Sequence, residues 1–146
     1  MNLLALITRL NKLESKAASQ TKTIPAAAAG VTVTAAAGGS YAKGAYAEVV
    51  AASGVTTNYR PTALVINLIS AVDEYEIDIA TGTAAAEVVV STHKFSALAA
   101  NGNARIELGS IVNVSKNIRL AARIGCNDAV ARTIKLSVEY IDNQPA

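Results

Sequence analysis

Two alternating runs near the C-terminal end of the chain limit its fold more than any other stretch. In Ile118-Arg119-Leu120-Ala121-Ala122-Arg123-Ile124, the apolar residues Ile118, Leu120, Ala122 and Ile124 share one face, and Arg119 and Arg123 share the other. In Ile134-Lys135-Leu136-Ser137-Val138-Glu139-Tyr140, the apolar set is Ile134, Leu136, Val138 and Tyr140, opposed by Lys135, Ser137 and Glu139. A period of two is the signature of a strand with one buried and one wet face. The turn-forming residues Gly125-Cys126-Asn127-Asp128 follow the first run. The pattern predicts an antiparallel pair, with Ser137 facing water, in a sheet that packs on a second layer.

The remaining pattern extends this to a whole domain. Strands are predicted at Val31–Thr34, Tyr46–Ala52, Thr62–Ile69, Glu74–Ile79, Glu87–Ser91, Arg105–Leu108 and Ser110–Val112, with a less regular stretch from Thr92 to Gly102. In the fourth of these, Tyr75, Ile77 and Ile79 point inward. Eight to ten closely spaced strands with no helix between them exclude an alternating α/β fold. The fold class is all-β, an antiparallel β-sandwich or jelly roll with an N-terminal helix and an extended arm. Residues 1–17 form the helix, 18–30 the linker or arm, 31–142 the sandwich domain and 143–146 a tail. Pro25 keeps the arm out of a helix or a central strand. The chain has 146 residues, 51% of them hydrophobic but only five Tyr and one Phe aromatic, so Val, Ile, Leu and Ala must build the core.

The N-terminal segment carries a different period. Leu3, Leu6, Leu10, Leu13 and Ala17 recur at spacings of three and four, an a/d stripe that Leu4 and Ile7 widen. Arg9 and Glu14 fall at g and e positions, an opposite-charge pair in a parallel coil. So short a helix is marginal alone in water. It either self-associates, docks in a groove of another protein, or packs on its own domain. Leu3, Leu6, Ile7, Leu10 and Leu13 are the candidate oligomer or partner contacts. Arg9 and Lys12 follow the apolar start rather than precede it, the wrong charge order for a secretory signal.

Residues that carry chemistry are sparse. One cysteine and one histidine exclude an internal disulfide framework and most single-chain metal sites. A formal charge of +2 gives no electrostatic footprint for nucleic acid. No run approaches the roughly 18 apolar residues of a membrane helix. Asp73, Glu74, Glu76 and Asp78 are the densest acidic group; they suit either a calcium site or a solvated strand face, and their spread along one strand favours the face. Arg119, Arg123 and Lys135 mirror them as candidates for a subunit contact. His93 and Cys126 are far apart in sequence with no family signature around them. Tyr41, Tyr46 and Tyr59 are predicted in or beside loops. No catalytic residue, cofactor site or metal site is predicted.

Four segments in order carry a resemblance: Lys43-Gly44-Ala45-Tyr46-Ala47-Glu48-Val49-Val50-Ala51, Glu76-Ile77-Asp78-Ile79-Ala80-Thr81-Gly82, Glu87-Val88-Val89-Val90, and Asn117 to Ile124. Together they resemble a small β-domain of tailed-phage virion proteins, over roughly Val31 to Ile141. Tyr46 stands where that pattern usually has Trp, and Val114-Ser115-Lys116-Asn117 replaces its Pro-x-Gly turn. In size and in having an arm ahead of a sandwich, the chain is similar to trimeric capsid decoration (cement) proteins. The resemblance implies a virion structural role on head, tail or fibre; the leading expectation is a non-enzymatic homotrimer on the outer capsid surface, with the major capsid protein as partner and neither nucleic acid nor membrane. The alternative is a tail, baseplate or fibre module that binds a receptor or glycan.

Overall fold

A computed structural model describes residues 3–17, 21–25, 30–99, 103–109 and 113–142, with the side chains of residues 12–17 outside that description. Helix α1 spans Leu3–Ala17. Its Leu, Ala, Lys and Glu are good helix formers, and Lys16 places positive charge at the C-terminal end of the helix dipole. Nine strands follow: β1 Thr21–Ile24, β2 Val31–Thr34, β3 Ala47–Val50, β4 Arg60–Ile69, β5 Asp73–Thr81, β6 Val88–Ala97, β7 Ala104–Glu107, β8 Leu120–Cys126 and β9 Thr133–Ile141.

The strands form two antiparallel sheets. One has the order β1-β9-β4-β7, with β2 also paired to β9; the other has the order β3-β8-β5-β6. Strands β1 and β2 share one edge of β9 in tandem, Thr21 opposite Ile141 and Val31 opposite Leu136. Counted as one split strand, they complete an eight-stranded jelly roll of two Greek keys. The arm thus contributes a strand of its own, Thr21–Ile24.

Strands β8 and β9 are not partners. The expected antiparallel pair is replaced by two strands in opposite sheets, β8 between β3 and β5 and β9 between β1/β2 and β4. Residues 127–132 carry the chain across the sandwich. Alternation assigns each strand a face but not a neighbour, and two strands that turn apolar faces toward each other satisfy the same pattern. The stretch from Thr92 is also more regular than the sequence indicated: β6 runs on to Ala97, with Ser91, His93 and Phe95 opposite Ile79, Ile77 and Tyr75. Ser110–Val112 lies outside the described residues.

Between the sheets, Leu64, Ile66, Ile77, Ile79, Leu120, Ile124, Ile134 and Leu136 form a dry layer. Tyr75 stacks on Phe95 at 5.3 Å, and Tyr59 meets Tyr140 edge-on at 5.7 Å. Tyr59 is fully buried rather than at a loop surface, and its hydroxyl donates to the Ile118 carbonyl at 3.3 Å. Burial drives its phenol pKa well above the ordinary value. The loop between β2 and β3 folds over the outer face of β8. There the Tyr41 amide donates to Cys126 O and the Gly44 amide to Ile124 O, both at 2.9 Å. A Cβ on Gly125 would lie 2.2 Å from Tyr41 O, so only glycine permits that approach.

The face expected to be wet along β9 is wet only in part. Ser137 is fully buried, and its hydroxyl accepts a 2.8 Å hydrogen bond from Asn67 Nδ2 on β4. Leu136→Asp places a charge between the sheets and is expected to cost several kcal/mol. Ser137→Asp is expected to cost more than about 1 kcal/mol as well, because it desolvates a carboxylate beside Asn67. Lys135→Asp, on the exposed position, is expected to stay within about 0.5 kcal/mol of the parent. Urea unfolding of the three variants measures the order; equal losses for Lys135→Asp and Ser137→Asp would contradict the assigned burial.

Candidate assembly surface

The described side chains of α1, those of residues 3–11, are all exposed. Leu3, Leu4, Leu6, Ile7 and Leu10 are between 45% and 73% exposed. Leu3, Leu6, Ile7 and Leu10 lie on one face at helical spacing. Leu13 continues the stripe in sequence, but its side chain lies outside the described residues. The helix carries little polar structure of its own; Thr8 Oγ1 donates to Leu4 O at 2.8 Å. Leaving such a row in water forgoes roughly 1.5–3 kcal/mol per leucine relative to burial. The structure therefore brings Leu3, Leu6, Ile7 and Leu10 together as a continuous apolar stripe on a segment outside the core.

Glu76 and Asp78 of the acidic group and Arg119 and Arg123 of the basic group lie on the outer side of the β3-β8-β5-β6 sheet, whereas Lys135 stands on β9 of the other sheet. Asp78 is buried there. Its Oδ2 accepts from Arg123 Nε at 2.9 Å, and its Oδ1 accepts from Thr92 Oγ1 at 2.9 Å and Lys43 Nζ at 3.1 Å. Lys43 also reaches Glu76 at 2.7 Å, and Lys94 reaches Glu76 at 3.3 Å. Arg119 bridges Glu87 at 2.7 Å and Glu48 at 3.0 Å. Glu76 and Asp78 are thus paired with cations of the same chain, while Glu74 accepts from the Tyr41 hydroxyl at 2.6 Å and Asp73 accepts from the Glu74 and Asp128 amides. Among the described residues, no group of three His, Cys, Asp or Glu is placed to hold a metal ion. Arg119 and Arg123, candidates for a neighbouring subunit, are internal partners in this network. Sequence spacing could not have revealed this, because Lys43 and Arg123 come from segments remote from Asp78.

Other candidates stay dispersed. Ser91 Oγ and His93 Nε2 are 2.6 Å apart on the inward side of β6. Desolvation lowers the His93 pKa. Asp78 on the neighbouring strand faces the opposite side of the sheet, so it does not complete a nucleophile–base–acid set with them. Cys126 is buried as a free thiol, its pKa raised by burial, and its Sγ lies 3.6 Å from Asp128 O and Val130 O. Tyr41 and Tyr46 each carry a cation over the ring, Lys94 at 4.4 Å and Arg123 at 4.6 Å. A hollow of about 150 Å³ beside Tyr41, Glu74 and Phe95 is smaller than a typical ligand pocket of about 300 Å³ or more. A shallower one near Asn67 and Asn103 has Arg105 on its rim, already paired with Glu139 at 2.7 Å. No helix among the described residues is long and apolar enough to cross a membrane.

No known family and no curated protein matches the chain in sequence. Among solved structures, the chain is similar to one in the structure of infectious bursal disease virus Gt strain. The TM-score is 0.41 at 12% identity, over 83% of this chain and 31% of that one. A chain of the Gx strain structure gives the same TM-score at 14% identity, over 83% and 32%. The chain spans about a third of the length of those two.

Burial pushes the Asp78 carboxyl upward, but hydrogen bonds from Arg123, Thr92 and Lys43 outweigh it and hold the pKa below the usual value. A folded-state pKa below the unfolded one gives stability that is complete above the unfolded value, about 3.9, and is lost as pH falls through the folded one. Asp78→Asn is expected to cost about 1–3 kcal/mol at pH 7 and to flatten the acid limb below about pH 4. Urea midpoints at pH 7 and pH 3 test both; an unchanged acid limb would mean Asp78 does not contribute to it.

Proposed function

We propose that the chain is a non-enzymatic structural protein of a tailed-phage virion. In this reading it is a homotrimeric capsid decoration protein that binds the major capsid protein on the outer surface and stabilises the shell. The observation that carries the reading is the exposed Leu3-Leu6-Ile7-Leu10 stripe on a helix ahead of a complete jelly roll. Such a stripe needs a partner, and three parallel copies supply one by knobs-into-holes packing. The ordered motifs from Lys43 to Ile124 and the absence of a converged catalytic set among the described residues support the same reading. Attachment would rest on avidity, three modest contacts per trimer acting together. The rival reading, a glycan- or receptor-binding module, calls for a row of free aromatic faces. Tyr59 is buried, while Tyr41 and Tyr46 already lie under Lys94 and Arg123.

Light scattering at micromolar concentration is expected to give three times the 15.0 kDa monomer mass. Removing residues 1–20 is expected to leave a cooperatively melting β-domain at monomer mass, because β1 begins at Thr21. A full-length chain at monomer mass would overturn the trimer, and loss of the folded domain in the shortened chain would place α1 inside the core.

A further inference from the structure

One end of the sandwich presents an apolar rim that no described residue covers. Asp73 pairs with Ala97 in the β5–β6 ladder, so the next residues outward, Val72 and Leu98, are neighbours across the strand ends. On the other side of β5, Tyr75 pairs with Cys126, and the Asn127 amide donates to Glu74 O at 3.1 Å. The crossing that follows, residues 127–132, places Ala129 and Val130 at the same end of the sandwich as Val72. The Gly38 amide then donates to Ala129 O at 2.9 Å, which adds the β2–β3 loop to the row. At about 4.8 Å per strand, the row from Leu98 through Val72 to Gly38 is about 15 Å wide. Leu98 is 91% exposed, Val72 61% and Val130 56%, with the exposed alanines 37, 99, 129 and 131 around them.

Hydrogen bonds brace the two turns that carry Val72 and Val130. Asp73 Oδ2 accepts from the Asp128 amide at 2.9 Å, Asp128 Oδ1 accepts from the Val130 amide at 3.1 Å, and Asp128 Oδ2 accepts from Arg132 Nε at 2.9 Å. Ser70 and Thr133 exchange hydrogen bonds of 2.9 and 3.0 Å. The three charged residues of the turns, Asp73, Asp128 and Arg132, are therefore engaged with one another or with the rim backbone. Isolated exposed apolar residues are ordinary, but a contiguous and rigid set marks a contact surface.

We propose that this rim is the surface that docks on the partner protein, and that it fits an apolar, uncharged patch. This rests on the virion reading, in which the patch belongs to the shell protein. Electrostatic complementarity selects the occupant. An anionic lipid surface calls for free cations, whereas Arg132, the cation of these turns, is held by Asp128. Strand β1, which α1 precedes, starts opposite Ile141, at the far end of β9 from Thr133 and the rim. Nine residues of strand separate the two ends by roughly 26–30 Å. The chain thus divides its two apolar surfaces, α1 for joining copies and the rim for the shell. One rim is small against the roughly 800 Å² per partner of a stable interface, so three must act together.

The test is co-sedimentation of the full-length chain with capsid particles of the encoding virus that were produced without it. The double variant Val72→Asp with Leu98→Asp is expected to bind roughly 30-fold or more weakly. Val88→Asp, equally exposed but at the opposite end of β6, is expected to bind within about twofold of the parent. Light-scattering mass and the thermal transition should be unchanged in both. Parent and double variant binding equally would overturn the rim assignment and leave the virion reading standing. A parent that does not bind particles would overturn both. A lower mass for the double variant would make the rim a contact between copies, and retention of the parent on phosphatidylcholine vesicles would make it a lipid contact; either result overturns the proposal.

Discussion

Strand β9 is the constraint on which the other layers depend. It is hydrogen-bonded on both edges, to β1 and β2 on one side and β4 on the other. Its inward residues Ile134, Leu136 and Val138 sit in the core, and its outward Ser137 is pinned by Asn67. A slip of one residue would turn every one of these side chains to the wrong face. The arm is held in the same way: its strand Thr21–Ile24 is fixed by the ladder with β9.

The second sheet is stabilised by a different balance. Its inner face is as apolar as that of the first, but its outer face carries a buried carboxylate among Arg123, Lys43 and Thr92. Removing a charge from water costs more than an isolated surface pair returns, so Asp78 is tolerable only because several donors converge on it. Those donors come from the β2–β3 loop, β6 and β8, and the network therefore ties three segments to β5. The neighbouring pairs of Arg119 with Glu48 and Glu87 do the same for β3 and the β5–β6 turn. On such a face most charges are already paired within the chain.

The sequence made the faces legible and the neighbours illegible. Alternation in Tyr75-Glu76-Ile77-Asp78-Ile79 and Ile134 to Tyr140 gave the inward residues correctly, and the fold class followed from strand spacing. The pairing of β8 and β9 was misjudged because alternation constrains one strand at a time. The residues that follow Gly125-Cys126 form a six-residue crossing, 127–132, longer than a two-residue hairpin turn, and that length was the available clue. His93 obscured the continuation of β6, since a lone polar residue on an inward position breaks an apolar count without breaking the period. The stripe of α1 was visible as a pattern. The rim was not, because Val72, Leu98 and Val130 sit in separate turns and only the strand order brings them to one end.

Division of labour between the two ends follows from what each can afford to leave exposed. In the proposed reading the Leu3-Leu6-Ile7-Leu10 stripe is hidden between copies and need never face solvent. A surface that must remain available until it meets a shell has to stay soluble on its own. It can then hold only a few large side chains, set among alanines and braced so that no ordering cost is added on binding. The rim has that composition, with Leu98, Val72 and Val130 among exposed alanines on hydrogen-bonded turns. In the proposed reading, weak individual contacts multiplied by self-association would give attachment that is strong in sum.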